Sequence, residues 1–132
     1  MKVRIPKIVV EPLVLFYGLA EEKKERLTAL LGKESVPCKE AVDADLCQKT
    51  GYLCGLPGFA PSESAETTSF PYEAVIFCGF NDRTLDKILR LFRENDLKIE
   101  RKAALTPANQ NWLLGDLLRE IDREHEQMSG RR

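Results

Sequence analysis

The chain has 132 residues, 43% of them hydrophobic and 31% charged, and a formal net charge of -1. That composition fits one soluble globular domain with enough chain to bury a core. The charge balance argues against general binding to a phosphate backbone, which needs an excess of Lys and Arg, and no run approaches the ~20 apolar residues of a membrane span.

Lys2, Arg4 and Lys7 precede the apolar run IVVEPLVLFYGLA, an opening that resembles a signal peptide. Glu11 and Pro12 interrupt the run, so it reads better as the approach to a first strand. The four cysteines, Cys38, Cys47, Cys54 and Cys78, form no CxxC pair. Without an export signal they are expected as reduced thiols, and the chain as cytoplasmic.

PLVLFYG, residues 12–18, is short and rich in Val, Leu, Phe and Tyr, as buried strands are. Gly18 closes it and permits a tight strand-to-helix turn. A helix follows, with Glu21 and Glu22 in its first turn and Leu27, Leu30 and Leu31 as a thin apolar stripe. VPCKEAV at 36–42 is half polar, like an edge strand, and DLCQKTGYLCGL at 45–56 is a second helical segment. Gly55 or Gly58 suits its C-terminal cap. GLPG at 55–58 lacks the Gly-Lys-Ser/Thr ending of a phosphate loop. PGFAPSESAETTSFP, residues 57–71, reads as a loop.

The same order then returns. VLFYGLAEEKKERLTALL at 14–31 and VIFCGFNDRTLDKILRLF at 75–92 follow nearly the same pattern, sixty-one positions apart. The second strand is AVIFCGF, residues 74–80, closed by Gly79. Asn81 suits a helix N-cap, and Leu85, Ile88, Leu89 and Phe92 form one apolar stripe. KIERKAAL at 98–105 is the matching polar strand, and a last helix is expected from about Thr106, with YLCG at 52–55 echoing WLLG at 112–115.

The chain is therefore expected as a single α/β domain over residues 1–132, with α+β as the alternative class. Two β-α-β-α units, about 8–56 and 72–127, are joined by the loop 57–71, with 128–132 as a frayed tail. Two right-handed crossovers give a four-stranded sheet with strands one and three central. A ferredoxin-like split βαβ is favoured over a mostly parallel sheet covered on both faces, although the central strands show little polar alternation.

Residues 73–126 resemble an uncharacterised bacterial family, Domain of Unknown Function 3783. The likeness rests on a strand ending in Gly79-Phe80, an amphipathic helix, Lys102, then Thr106-Pro107-x-Asn109-x-x-Trp112, and a charged helix carrying His125. GYLCGLPGF, residues 51–59, is similar to a stretch preceding the domain in longer members. The resemblance implies membership and no activity, so it supplies no functional residues.

KAALTPANQNW, residues 102–112, holds the candidate site. Thr106 reads as an N-cap with Pro107 at the first helical position. Asn109 and Asn111 add amides, Trp112 an aromatic face, and Lys102 a cation on the preceding strand. A helix start beside a lysine could hold a phosphate or carboxylate. The bland alternative is a cap with solvated amides and Trp112 on the core.

The leading expectation is a non-catalytic binding or protein-interaction module, with a small anionic ligand at Lys102, Thr106, Asn109, Asn111 and Trp112. No cofactor and no metal is called for: the cysteine spacings do not suit zinc, although Cys47 and Cys54 would share a helical face. The alternative is a small enzyme using Cys78, Cys38 or His125, with Cys78 just before the strand end. A weaker alternative is nucleic-acid binding through Arg90, Arg93, Arg101 and Lys102, against the net charge. No membrane partner is expected, and apolar faces could support a homodimer.

Overall fold

The computed structural model describes residues 11–63 and 69–128. The expected start of the first unit at 8–10, the middle of the loop at 64–68 and the tail at 129–132 lie outside those residues. The first half runs through β1 (Leu13–Tyr17), α1 (Glu21–Lys33), β2 (Cys38–Ala41), a 3₁₀ turn at Asp43–Cys47 and α2 (Thr50–Leu53). The second half has the same order: β3 (Ala74–Cys78), α3 (Asp82–Glu94), β4 (Lys102–Ala104), a 3₁₀ turn at Asn109–Asn111 and α4 (Leu114–Met128).

The four strands form one α/β sheet in the order β2-β1-β3-β4. β1 is parallel to β2, β3 is parallel to β4, and the central pair β1–β3 is antiparallel. The favoured ferredoxin-like split is thus not what forms. Each crossover helix returns its edge strand directly beside the strand it left. Apolar and polar runs mark central and edge strands, and both arrangements place β1 and β3 at the centre. Strand polarity therefore could not tell them apart.

Alternation sends the central side chains to two faces. Val14, Phe16, Val75 and Phe77 pack with Leu27 and Leu31 of α1 and Ile88 and Phe92 of α3. Leu15, Tyr17, Ile76 and Cys78 pack on the other face with Leu46, Leu53, Leu114 and Leu118. Both faces are covered, so β3 is buried throughout, as the unbroken apolar run AVIFC requires.

The strand-to-helix turns are alike. Gly18 and Gly79 have φ of +77° and +78°, a region that disfavours side chains. A Cβ on Gly18 would stand 2.9 Å from the Tyr72 carbonyl oxygen. Asn81 caps α3 as expected: its Oδ1 accepts from Thr84 N at 2.8 Å, and Thr84 Oγ1 accepts from Asn81 N at 3.1 Å. Ala20 opens α1 with no side-chain cap.

The second helices differ from expectation. Instead of continuous helices over 45–56 and from Thr106, each half makes a 3₁₀ turn, one extended stretch, and only then an α-helix. The halves grip each other at that break. Thr50 N donates to the Trp112 carbonyl at 2.8 Å, and Leu114 N donates to the Gln48 carbonyl at 2.9 Å, flanking a Lys49–Leu113 bridge. Backbone committed to this cross-pairing cannot also make helical bonds. Gly51 and Gly115 follow, with their missing Cβ positions 3.0 Å from the Gln110 carbonyl and 3.3 Å from the Leu46 carbonyl. The matching glycine of Gly115 is thus Gly51, not the Gly55 of YLCG. Gly55 lies just beyond the C-cap of α2 with φ +81°, so the capping role read for it is the one it has.

The described residues on either side of 64–68 are tied down at Ser62 and Phe70. Gln48 Oε1 accepts from Ser62 N at 2.6 Å. The Tyr17 hydroxyl accepts from Phe70 N at 3.1 Å while donating to the Asp43 carboxylate.

Candidate functional site

The residues expected at one helix start are divided by the structure. Thr106 Oγ1 accepts from Asn109 N at 3.1 Å, and Asn109 Oδ1 accepts from Thr106 N at 2.8 Å. Asn109 Nδ2 also donates to the Ala104 carbonyl at 3.1 Å. Thr106 and Asn109 therefore spend their polar atoms closing the turn after β4, and the α-helix begins later, at Leu114. Asn111 lies exposed in the 3₁₀ turn. Trp112 is 40% exposed, and its carbonyl accepts from both Thr50 N and Thr50 Oγ1.

Lys102 belongs to another neighbourhood. It pairs in register with Val75, whose side chain faces α1 and α3. Its Nζ donates to the Ile99 carbonyl. Among the described residues no hydrogen bond links it to Thr106, Asn109, Asn111 or Trp112.

Lys102 lines a cavity of about 410 Å³ between the end of α3 and β4. Leu89, Phe92, Leu97 and Ile99 supply apolar walls. Arg93, Lys98 and Lys102 bring three cations, with Asp96 as the opposing carboxylate. Burial lowers the Lys102 pKa below the ordinary lysine value; Glu100 nearby pulls it up and Lys98 pushes it further down. Among the described residues, none of the three cations makes an ion pair within 4.0 Å. A cation at a cavity rim with no close carboxylate is open to a charge-assisted hydrogen bond to an incoming anion.

The alternative centres are placed differently. Cys78 is fully buried and Cys54 only 6% exposed, side by side under the sheet. A hydrogen bond with Cys78, and then burial, push the Cys54 thiol up, so it keeps its proton. Cys47 sits in the 3₁₀ turn before α2, so it shares no helical face with Cys54. Cys38 Sγ lies 3.9 Å from Thr28 Oγ1. Among the described residues no three His, Cys, Asp or Glu side chains gather as metal ligands. His125 stands half-buried on α4, 4.0 Å from Glu100. Arg101, read as a nucleic-acid contact, is enclosed: its Nε is 2.7 Å from Asp122, and its guanidinium lies 3.8 Å over the Tyr72 ring. Arg90 pairs with Glu94 at 3.9 Å.

Of the charged residues around this cavity, sequence reasoning names Lys102 as a ligand contact and Arg93 only as a nucleic-acid contact, and it names neither Asp96 nor Lys98. One signal was available. The units are sixty-one positions apart through β1 and β3, but sixty-four apart from β2 and β4 onward, since Val14 pairs with Cys38 and Val75 with Lys102. Three extra residues enter the second half where the cavity forms.

No described helix is long and apolar enough to cross a membrane. Comparison with curated proteins and with solved structures gives no match. Residues 73–128 match the model of one family, and this stretch runs from the approach to β3 to the end of α4 and contains every residue around the cavity. That family is described as a domain of unknown function (DUF3783), and it is the family that the Thr-Pro motif of this stretch resembles.

Proposed function

We propose that the chain is a non-catalytic binding module that holds a small anionic ligand in the cavity between α3 and β4, with Lys102 as the anchoring cation. The observation that carries this reading is the Lys102 ammonium, held at the rim of apolar walls by its bond to the Ile99 carbonyl and flanked by Arg93 and Lys98. Apolar walls keep competing water away and strengthen a charge-assisted hydrogen bond to an anion. Thr106 and Asn109 serve here to fix the turn that ends β4, so the Lys102 end of the expected site is kept and the amides are given a structural role. The proposal takes the two halves as one unit used twice, supported by their matched turns at Ser35 and Asp96, where φ is 58° and 54°. It keeps the cytoplasmic setting, supported by the buried free thiols of Cys54 and Cys78.

The test is a titration of the whole chain with acetate and with inorganic phosphate, followed by amide proton–nitrogen correlation spectra. Saturable shifts are expected at Lys98, Ile99 and Lys102, and their loss in Lys102→Met. Shifts that survive unchanged in that variant would defeat the reading. Arg93, Asp96, Lys98 and Glu100 are the other charged groups facing the site. Because the Lys102 pKa is lowered, acetate binding should fade as pH rises, at a lower pH than an ordinary lysine would give.

A further inference from the structure

We infer that the ligand class of this cavity is a small amphiphile, an apolar chain of several carbons ending in one compact anionic group such as a carboxylate. The inference rests on the anion-binding reading above and adds the apolar tail and the single charge.

The walls carry the first part. Phe92, Leu97 and Ile99 are each under 5% exposed, and half-buried Leu89 completes the apolar side. Those three side chains are already out of water, so the surface left for an alkyl chain to cover is that of Leu89 and the aliphatic stems of Arg93, Lys98 and Lys102. The volume, about 410 Å³, falls within the range of small-molecule sites.

The charges carry the second part. Arg93, Lys98 and Lys102 are opposed by Asp96 and by the nearby Glu100, which leaves one positive charge over. A monoanion balances that excess, and a polyanion overshoots it. Lys102 is also oriented, because its bond to the Ile99 carbonyl holds the ammonium at the end of the apolar wall. Head and tail therefore have adjacent places, fixed by consecutive parts of one short segment.

That segment is a feature of the second half alone. The connection from α1 to β2 takes residues 34–37, and that from α3 to β4 takes residues 95–101. Lys98 and Ile99, within the longer connection, supply one rim cation and one wall.

The experiment is isothermal calorimetry on the whole chain with acetate, hexanoate, octanoate and 1-octanol as probes, each below its aggregation limit. Octanoate is expected to bind roughly tenfold tighter than hexanoate, from two more buried methylenes. Lys102→Met, on an exposed strand edge, should weaken octanoate about tenfold and leave octanol unchanged. Leu89→Asn should weaken octanoate while barely moving acetate. Octanoate binding no tighter than acetate would overturn the amphiphile and leave the anion site standing. Octanol binding as tightly as octanoate would overturn the anion site itself, and with it this inference. No heat from any probe would overturn both.

Discussion

The two halves of this chain begin alike and part at one connection. α1 and α3 end in matching turns: Ser35 and Asp96 both take positive φ, while Val36 N bonds back to Leu31 O at 2.9 Å and Leu97 N to Phe92 O at 2.8 Å. After that turn the first half reaches its edge strand through Pro37. The second half inserts three more residues, folds Leu97 and Ile99 into the face shared with α3, and brings Lys98 and Lys102 to the rim. The comparison teaches that a small lengthening of one crossover, within an otherwise matched frame, supplies a rim cation and a wall of the cavity.

The largest effect should come from erasing that difference. Deleting Lys98, Ile99 and Glu100 gives the second half the spacing of the first. We expect a stability loss of about 2–4 kcal/mol from withdrawing Ile99 from the core, together with loss of octanoate binding. Denaturant midpoints and calorimetry read the two effects separately. A deletion variant as stable as its parent, and still binding, would show that the extra residues contribute nothing.

A second difference lies at matched positions on the central strands. Tyr17 ends β1 with a hydroxyl that holds Asp43 and Phe70 N, whereas Cys78 ends β3 with a buried thiol. Tyr17→Phe should cost about 1–2 kcal/mol, since it strands the Phe70 amide and removes a bond to a carboxylate. Burial first, and then the Asp43 hydrogen bond, raise the Tyr17 pKa above its ordinary value. The folded chain thus holds that proton more tightly than the unfolded chain does. This stability is fully present below the unfolded tyrosine pKa of about 10 and is lost as pH rises through the higher folded value. The Phe variant should show a shallower alkaline decline, and equal slopes would remove Tyr17 from the account.

The smallest effect sharpens the comparison at the helix starts. Asn81→Ala should destabilise by about 1 kcal/mol, and Ala20→Asn should stabilise by up to about 1 kcal/mol, by giving α1 the cap that α3 already has. Ala20 already has the extended backbone of a cap, with φ -65° and ψ 157°. Thermal unfolding of both variants checks the pair, and opposite signs are required.

Much of this was legible in the residues. The apolar runs marked the central strands within a residue or two, and Asn81 and the stripe Ile88–Phe92 marked α3. The break before each last helix was not legible, because Gln48–Thr50 leave helical geometry to bond Trp112–Leu114, some sixty positions away. The candidate site was half legible for the same reason. Thr106-Pro107 signals a chain reversal whether a helix or a turn follows, and only the tertiary bonds of Trp112 settle which.

By itself, the sequence determined the layers: short-range patterning says which segments are strands or helices, which strands lie inside, and where glycine must turn the chain. The tertiary structure alone decided that each edge strand sits beside its own central strand, that the halves clasp at Lys49 and Leu113, and that Lys102 joins Phe92 and Ile99 around a cavity. Hydrophobicity says how deep a residue lies and is silent about which neighbour it meets. Neighbours are chosen by backbone direction and connection length, and those act only once the chain has closed on itself.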